Sequence, residues 1–422
     1  MLKQIEGSQA VAQSLASCRI NVVAAYPISP QTHIVETLSK LVKNGELQNC
    51  EYINVESEYA AMSASIGASA AGGRAYTATA SQGLLYMVEA VYNASGLGLP
   101  IVMTVANRAI GAPINIWNDQ TDSMSQRDSG WLQLYAINNQ EAADLHVQAF
   151  RIAEELSVPV MVCMDGFVLT HASELVDVPE LEQVDKFLPA YEPRQVLDPA
   201  DPISIGAMVG PEAFTEVRYL AHRKQLDALD LIPQVQDEFK AVFGRDSGGL
   251  FHEYKCEDAE TIVVCLGSVT GTLRDVIDER REKGEKIGVF SLVSFRPFPG
   301  KAIAAALQHA KRIIVLERAF SVGIGGIVSA EVRAAMGDKG HTFYEVIAGL
   351  GGRAITSGSL NEYFDRAVND EVDYTTFLDL DTDLIDRELA RQAATRRSGA
   401  TPENIVRDYH ERADQRLAEA QK

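Results

Sequence analysis

Short apolar runs alternate with amphipathic segments along most of this chain at intervals of roughly 30 residues, and no other feature restricts the fold so much. RINVVAAYP (Arg19–Pro27), CEYINVE, RAYTATA, LPIVMTVAN and VPVMVCMDG read as strands. The strongest of them are apolar on both sides of the pleat, so a covering layer is expected on each face. Between them lie IVETLSKLVKNG, the small-residue run after Val55, QGLLYMVEAVYNASGLG and EAADLHVQAFRIAEELS, which read as helices. The pattern predicts an α/β fold, a parallel sheet with helices on both faces.

From Glu174 to Glu253 the text changes. Prolines and acids gather, and a long helical stretch, EVRYLAHRKQLDALDLIPQVQDEFKAVFG, follows. We read a first domain over residues 1–245, with a connecting region at about 174–253 that wraps it. AETIVVCLGS, KIGVFSLVSF and KRIIVLERA then predict a smaller parallel α/β domain over 254–360. The tail, 361–422, reads as a charged helical segment suited to gripping a partner or to standing in solvent.

Composition narrows the function by exclusion. A net charge of -20 argues against nucleic acid and anionic membranes as partners. The five cysteines show no CxxC spacing, and Cys163 and Cys265 sit in strand-like runs. They predict buried reduced thiols rather than a metal or iron–sulfur site built by this chain. The N-terminal residues lack a signal-peptide pattern and no long apolar span follows, so a soluble, cytoplasmic protein is expected.

Ligands in open parallel sheets bind beyond the carboxyl ends of the strands. That directs attention to Tyr26–Ser29, Glu56–Glu58, Thr79–Gln82 and Asn107–Gly111. Pro27 and Pro30 stiffen the loop around Ser29 and fix the direction of its hydroxyl. Arg108 directly follows a buried strand, where a guanidinium is either paired within the protein or kept for an anionic ligand. Ser29 and Arg108 together would make a small carboxylate cradle.

Glu58 opens a helix so rich in small residues that another surface can press close to it. The plainer reading is an acid favouring a helix N-terminus beside a capping Ser57. A helix beginning between Glu56 and Glu58 would turn the two carboxylates apart. INIWNDQTDSMSQRDSGW predicts a long polar loop whose acids pair with Arg127. GIGG (Gly323–Gly326) and GLGG (Gly349–Gly352) are incomplete as phosphate-binding loops.

Taken in order, YPISPQT, NVESEYAA, TATASQG, ANRAIGAPINIWNDQTDSMSQRDSGWLQLYA, SFRPFP and GIGG resemble the alpha subunit of the pyruvate:ferredoxin oxidoreductases. These are thiamine diphosphate-dependent members of the 2-oxoacid:acceptor oxidoreductase family. The likeness runs over roughly residues 5–360. It implies that the first domain is the pyrimidine-binding half of a thiamine enzyme and that the second is of the transketolase C-terminal type.

The same resemblance assigns roles. It implies that Glu58 hydrogen-bonds the aminopyrimidine ring of thiamine and that Pro27, Ser81 and Gln82 help to bind the cofactor. Arg108 matches the arginine that holds the substrate carboxylate. Ser29 stands where the family usually has threonine; the hydroxyl is kept and a methyl is lost. The implied reaction is oxidative decarboxylation of a 2-oxo acid, with pyruvate favoured, to acyl-CoA and carbon dioxide.

No Gly-Asp-Gly triplet, the mark of a diphosphate–Mg2+ site, occurs in the chain. The expected assembly therefore places Mg2+ and diphosphate binding, coenzyme A contacts and iron–sulfur clusters on beta, gamma and delta-type subunits. Ferredoxin or an NAD-linked flavin subunit would take the electrons, and the chain would be inactive alone. The alternatives are the same chemistry on another acid such as phenylglyoxylate with NAD as acceptor, a non-catalytic scaffold subunit, and a self-sufficient transketolase-like enzyme.

Overall fold

The computed structural model describes residues 2–337 and 340–420. Its strands are β1 (Leu2–Glu6), β2 (Val22–Ala25), β3 (Glu51–Asn54), β4 (Ala75–Thr79), β5 (Val102–Asn107), β6 (Leu132–Tyr135), β7 (Val160–Asp165) and β8 (Ser173–Asp177). They continue with β9 (Phe251–Tyr254), β10 (Thr261–Leu266), β11 (Ile287–Leu292), β12 (Ser294–Arg296), β13 (Arg312–Glu317), β14 (Thr342–Ile347) and β15 (Thr375–Phe377).

A seven-stranded sheet runs β12-β6-β7-β5-β4-β2-β3. The pairs formed among β2 to β7 are all parallel. Alternate residues of each strand enter different cores, as the pleat requires. Val102, Val160 and Val162 join one cluster with Leu15, Ile34 and Phe150 of the helices Gly7–Ser17, Thr32–Lys43 and Asn139–Leu156. Met103, Val105 and Cys163 join another with Met62 and Val91 of the helices Glu58–Ala70 and Val88–Gly96. Helices therefore cover both faces, as expected.

The second sheet is six-stranded, β15-β14-β13-β10-β11-β9, with β10, β11, β13 and β14 parallel and β9 antiparallel to β11. The segment KIGVFSLVSF, read as one strand, is two. Its first part is β11 in the second sheet, and β12 leaves to pair antiparallel with β6 of the first. β1 and β8, which carry little apolar signal, pair antiparallel beside the main sheet. Within the connecting region the helix Phe214–Phe243 buries Ala228, Leu231, Ile232, Val235, Phe239 and Phe243 in the first core.

The chain falls into two compact units, Met1–Thr376 and Phe377–Lys422. Position 360, where the second domain was expected to end, lies inside the helix Ser357–Val368, whose Leu360, Tyr363 and Phe364 are buried. The second unit holds the helices Thr382–Ala394 and Thr401–Ala420, tied by Arg391 to Asp408 at 2.6 Å. Residues 421–422 of the expected tail lie outside the described residues. No helix among the described residues is long and apolar enough to cross a membrane.

Candidate active site

The carboxyl ends of β2, β3, β4 and β5 carry the residues singled out above. After β3, Ser57 is extended and its side chain accepts from the N–H of Ala60 at 3.1 Å, which starts the helix Glu58–Ala70. The helix start separates the two acids: Glu56 is exposed and Glu58 is buried. No hydrogen bond or ion pair from the described residues reaches the Glu58 carboxylate, yet it is closely confined. A Cβ on Gly83 would lie 2.7 Å from Glu58 Oε1 and 2.6 Å from Thr79 Oγ1, so that close approach admits only glycine.

After β5 comes Arg108, which is buried. Its Nη1 donates to the carbonyl of Ser29 at 2.9 Å and its Nε to the carbonyl of Asn115 at 3.2 Å. No carboxylate lies within ion-pair distance of this guanidinium among the described residues, and burial pulls its pKa down. The structure thus brings Arg108 and Ser29 together, but through the Ser29 backbone, while the Ser29 side chain belongs to an exposed residue. Pro27 is exposed in the same loop.

After β4, Ser81 adopts a left-handed conformation (φ 49°) that turns the chain into the helix Ser81–Tyr86. Ser81 is buried, and its hydroxyl donates to the carbonyl of Ala109 and to Gln82 Oε1. Gln82 is half-buried and abuts Gly111, where a Cβ would lie 2.4 Å from its Nε2.

Sequence reasoning missed one residue here. Asp122 was counted only among the acids of a polar loop read as pairing with Arg127; the loop acid that meets Arg127 is Asp128, at 4.0 Å. Asp122 is fully buried and accepts four hydrogen bonds, from Ser81 N at 2.9 Å, Arg108 N at 3.0 Å, Asn107 Nδ2 at 2.8 Å and Ser123 N at 2.7 Å. Burial pushes its pKa up to about 7 against those donors. The available signal was position: NDQTDS follows the Arg108 strand end in sequence and returns to it.

The rest of that loop docks on the second sheet. Asp119 Oδ2 accepts from Gly351 N at 3.2 Å, Asn115 Nδ2 donates to Gly351 O at 3.1 Å, and Gln120 N donates to Arg318 O at 2.9 Å. The GLGG glycines therefore serve close packing: Gly352 has φ +82°, and a Cβ there would meet Trp117 Cβ at 2.4 Å. After GIGG, the helix Ile327–Met336 does begin with free-standing amides in the manner of a phosphate site, but Glu317 fills the position. Its carboxylate accepts from Ile327 N, Val328 N and Ser329 N at 2.9, 2.8 and 3.0 Å.

Chemically, this edge of the sheet offers a confined carboxylate that takes no hydrogen bond and a buried guanidinium in no ion pair, among the described residues. Each is a group suited to meet a bound molecule. The comparisons with known proteins bear on which. Residues 13–237 match the family described as "Pyruvate flavodoxin/ferredoxin oxidoreductase, thiamine diP-bdg", and residues 259–360 match "Pyruvate:ferredoxin oxidoreductase core domain II". Pyruvate synthase subunit PorA of Methanosarcina barkeri is 51% identical over 79% of this chain and 83% of its own. Ketoisovalerate oxidoreductase subunit VorA of Pyrococcus abyssi is 42% identical over 84% of this chain and 90% of its own. A solved 2-oxoglutarate:ferredoxin oxidoreductase from Magnetococcus marinus shares the fold, with TM-score 0.64 and 18% identity. That match covers 88% of this chain and 65% of the other.

Proposed function

The chain belongs to the pyruvate:ferredoxin oxidoreductase family, and from that premise we propose that it is the alpha-type subunit of an enzyme converting pyruvate and coenzyme A to acetyl-CoA and carbon dioxide. The two electrons released pass to ferredoxin through iron–sulfur clusters on partner subunits. The single observation that carries the substrate assignment is Arg108, a buried guanidinium held, among the described residues, by the carbonyls of Ser29 and Asn115 and by no carboxylate. Leaving a buried charge without a counter-ion is costly, and a 2-oxo acid carboxylate supplies one.

Glu58 is confined against Gly83 and takes no hydrogen bond from the described residues, which suits a carboxylate that holds and returns a proton at a ring nitrogen of the cofactor. When bound, thiamine diphosphate supplies the electron sink that decarboxylation of a 2-oxo acid requires. Ser81 steadies Gln82 beside this position, and Pro27 limits the loop that carries Ser29. Ile114 and Trp117, exposed on the loop that holds Arg108, support a partner surface next to the site. With no Gly-Asp-Gly triplet in this sequence, that partner is assigned the diphosphate and its Mg2+.

The test is a substrate panel on the complex purified through this subunit, with coenzyme A and a viologen dye. Pyruvate is expected to turn over best, ahead of branched 2-oxo acids, 2-oxoglutarate and phenylglyoxylate. Arg108→Ala should raise KM for pyruvate by about two orders of magnitude, the scale of a lost charge-assisted contact. A branched acid outperforming pyruvate overturns the substrate, and unchanged KM in Arg108→Ala overturns the role of the guanidinium.

A further inference from the structure

We propose that Asp122 is a positioning residue that fixes the spacing between the substrate-binding strand end at Arg108 and the cofactor-side turn at Ser81. The inference rests on the reading of Arg108 and Glu58 given above and adds the part that holds them in register.

The ladder between β4 and β5 ends at the pair Thr79↔Val105. Beyond it the two chains part. One turns at Ser81 into the short helix that carries Gly83 against Glu58, and the other runs on through Asn107 to Arg108. Buried amides past the end of a ladder need another acceptor. A single side chain provides it: Asp122 Oδ2 takes both Ser81 N, at 2.9 Å, and Arg108 N, at 3.0 Å. Its other oxygen takes Asn107 Nδ2 at 2.8 Å and Ser123 N at 2.7 Å, which prevents rotation of the carboxylate.

All four partners are donors, so the site calls for an acceptor at both oxygens. Asparagine has nearly the same volume but only one acceptor oxygen. Whichever way it is turned, its NH2 faces two N–H groups, and either the Ser81–Arg108 pair or the Asn107–Ser123 pair is driven apart. A shift of one end relative to the other reaches the chemistry directly, because Arg108 carries one of the bridged amides and Gly83 stands two residues beyond the other.

The experiment uses the assembled complex carrying Asp122→Asn, Asn107→Ala or Arg108→Ala beside wild type. For each we would measure KM and kcat for pyruvate, the Kd of oxamate (an unreactive carboxylate of pyruvate's shape) by calorimetry, and Tm. Asp122→Asn is expected to raise KM and the oxamate Kd by about tenfold or more. Asn107→Ala leaves three of the four donors and should move both in the same direction by less. Wild-type KM and Kd in a folded Asp122→Asn complex overturn the proposal. If that variant does not assemble, unchanged values in Asn107→Ala overturn it instead. Should Arg108→Ala itself leave KM and Kd unchanged, the substrate reading fails; should it raise them while both other variants are silent, only the positioning role falls.

Discussion

A methyl group on Gly83 would stand 2.7 Å from the carboxylate of Glu58 and 2.6 Å from the hydroxyl of Thr79. Both are side-chain atoms, so the added methyl has to push one of these side chains out of its place. Gly83→Ala should therefore displace Glu58, at a stability cost of about 1–3 kcal/mol for overpacking. In the assembled complex, exchange of the cofactor's C2 proton should slow about tenfold or more in Gly83→Ala, and by two orders of magnitude or more in Glu58→Gln, which keeps the volume and removes the base. Normal exchange in both would place the carboxylate on the wrong side of the cleft. Glu58 was legible because a capping serine and a small-residue helix mark its place in sequence. Arg108 was legible because it ends an apolar strand. The bond from Arg108 to the Ser29 carbonyl was not, since side-chain patterns say nothing about backbone acceptors. Nor was Asp122, whose burial exists only once its loop has folded back over the strand ends.

The helix Asn139–Leu156 shows how one element can set a pH dependence for the whole. Its His146 is fully buried against β5, with Nδ1 2.6 Å from Ala142 O and Nε2 beside Thr104 Oγ1, which in turn meets Tyr76 Oη at 2.6 Å. Burial pushes the imidazole pKa from 6.5 down to about 4. Between those two values the unfolded chain binds a proton that the folded chain refuses. The contribution is complete above pH 6.5 and is lost as the pH falls toward 4. Over that window it amounts to roughly 3 kcal/mol. His146→Gln should flatten the stability curve there by about that amount, read from urea unfolding at a series of pH values. An equally steep curve would assign the acid sensitivity to other groups. Helical spacing located this helix well. It failed on QGLLYMVEAVYNASGLG, which is two helices, Ser81–Tyr86 and Val88–Gly96, separated at Met87. A one-residue break leaves the apolar spacing nearly unchanged, so periodicity cannot reveal it.

At the scale of the molecule, alternation of strand and helix revealed both parallel sheets, but not how they are joined. KIGVFSLVSF is largely apolar because β11 and β12 are each buried, in different sheets, and burial alone does not say against what. The sheets share one apolar cluster, in which Met103, Val105 and Cys163 of the first lie with Ile262, Val264 and Phe290 of the second, and the joint also carries a polar contact. Asp165, at the end of β7, accepts from Gln120 Nε2 at 2.8 Å and, from the other sheet, from Ser268 N at 2.8 Å, the Ser268 hydroxyl and Arg318 Nη1 at 3.1 Å. The Asp165 and Arg318 side chains are 1% and 11% exposed, so this pair sits where solvent does little to screen it. Removing one partner of such a pair strands the other charge and typically costs about 3–5 kcal/mol. Asp165→Ala should therefore lower stability on that scale. Calorimetry of the assembled complex would show it as a lowered Tm for this subunit's transition. Arg318→Met removes the cation as well as the bond, so adding it to Asp165→Ala should recover part of the loss. A double variant no more stable than Asp165→Ala alone would mean that the lost hydrogen bonds to Gln120 and Ser268, and not the stranded charge, account for the loss.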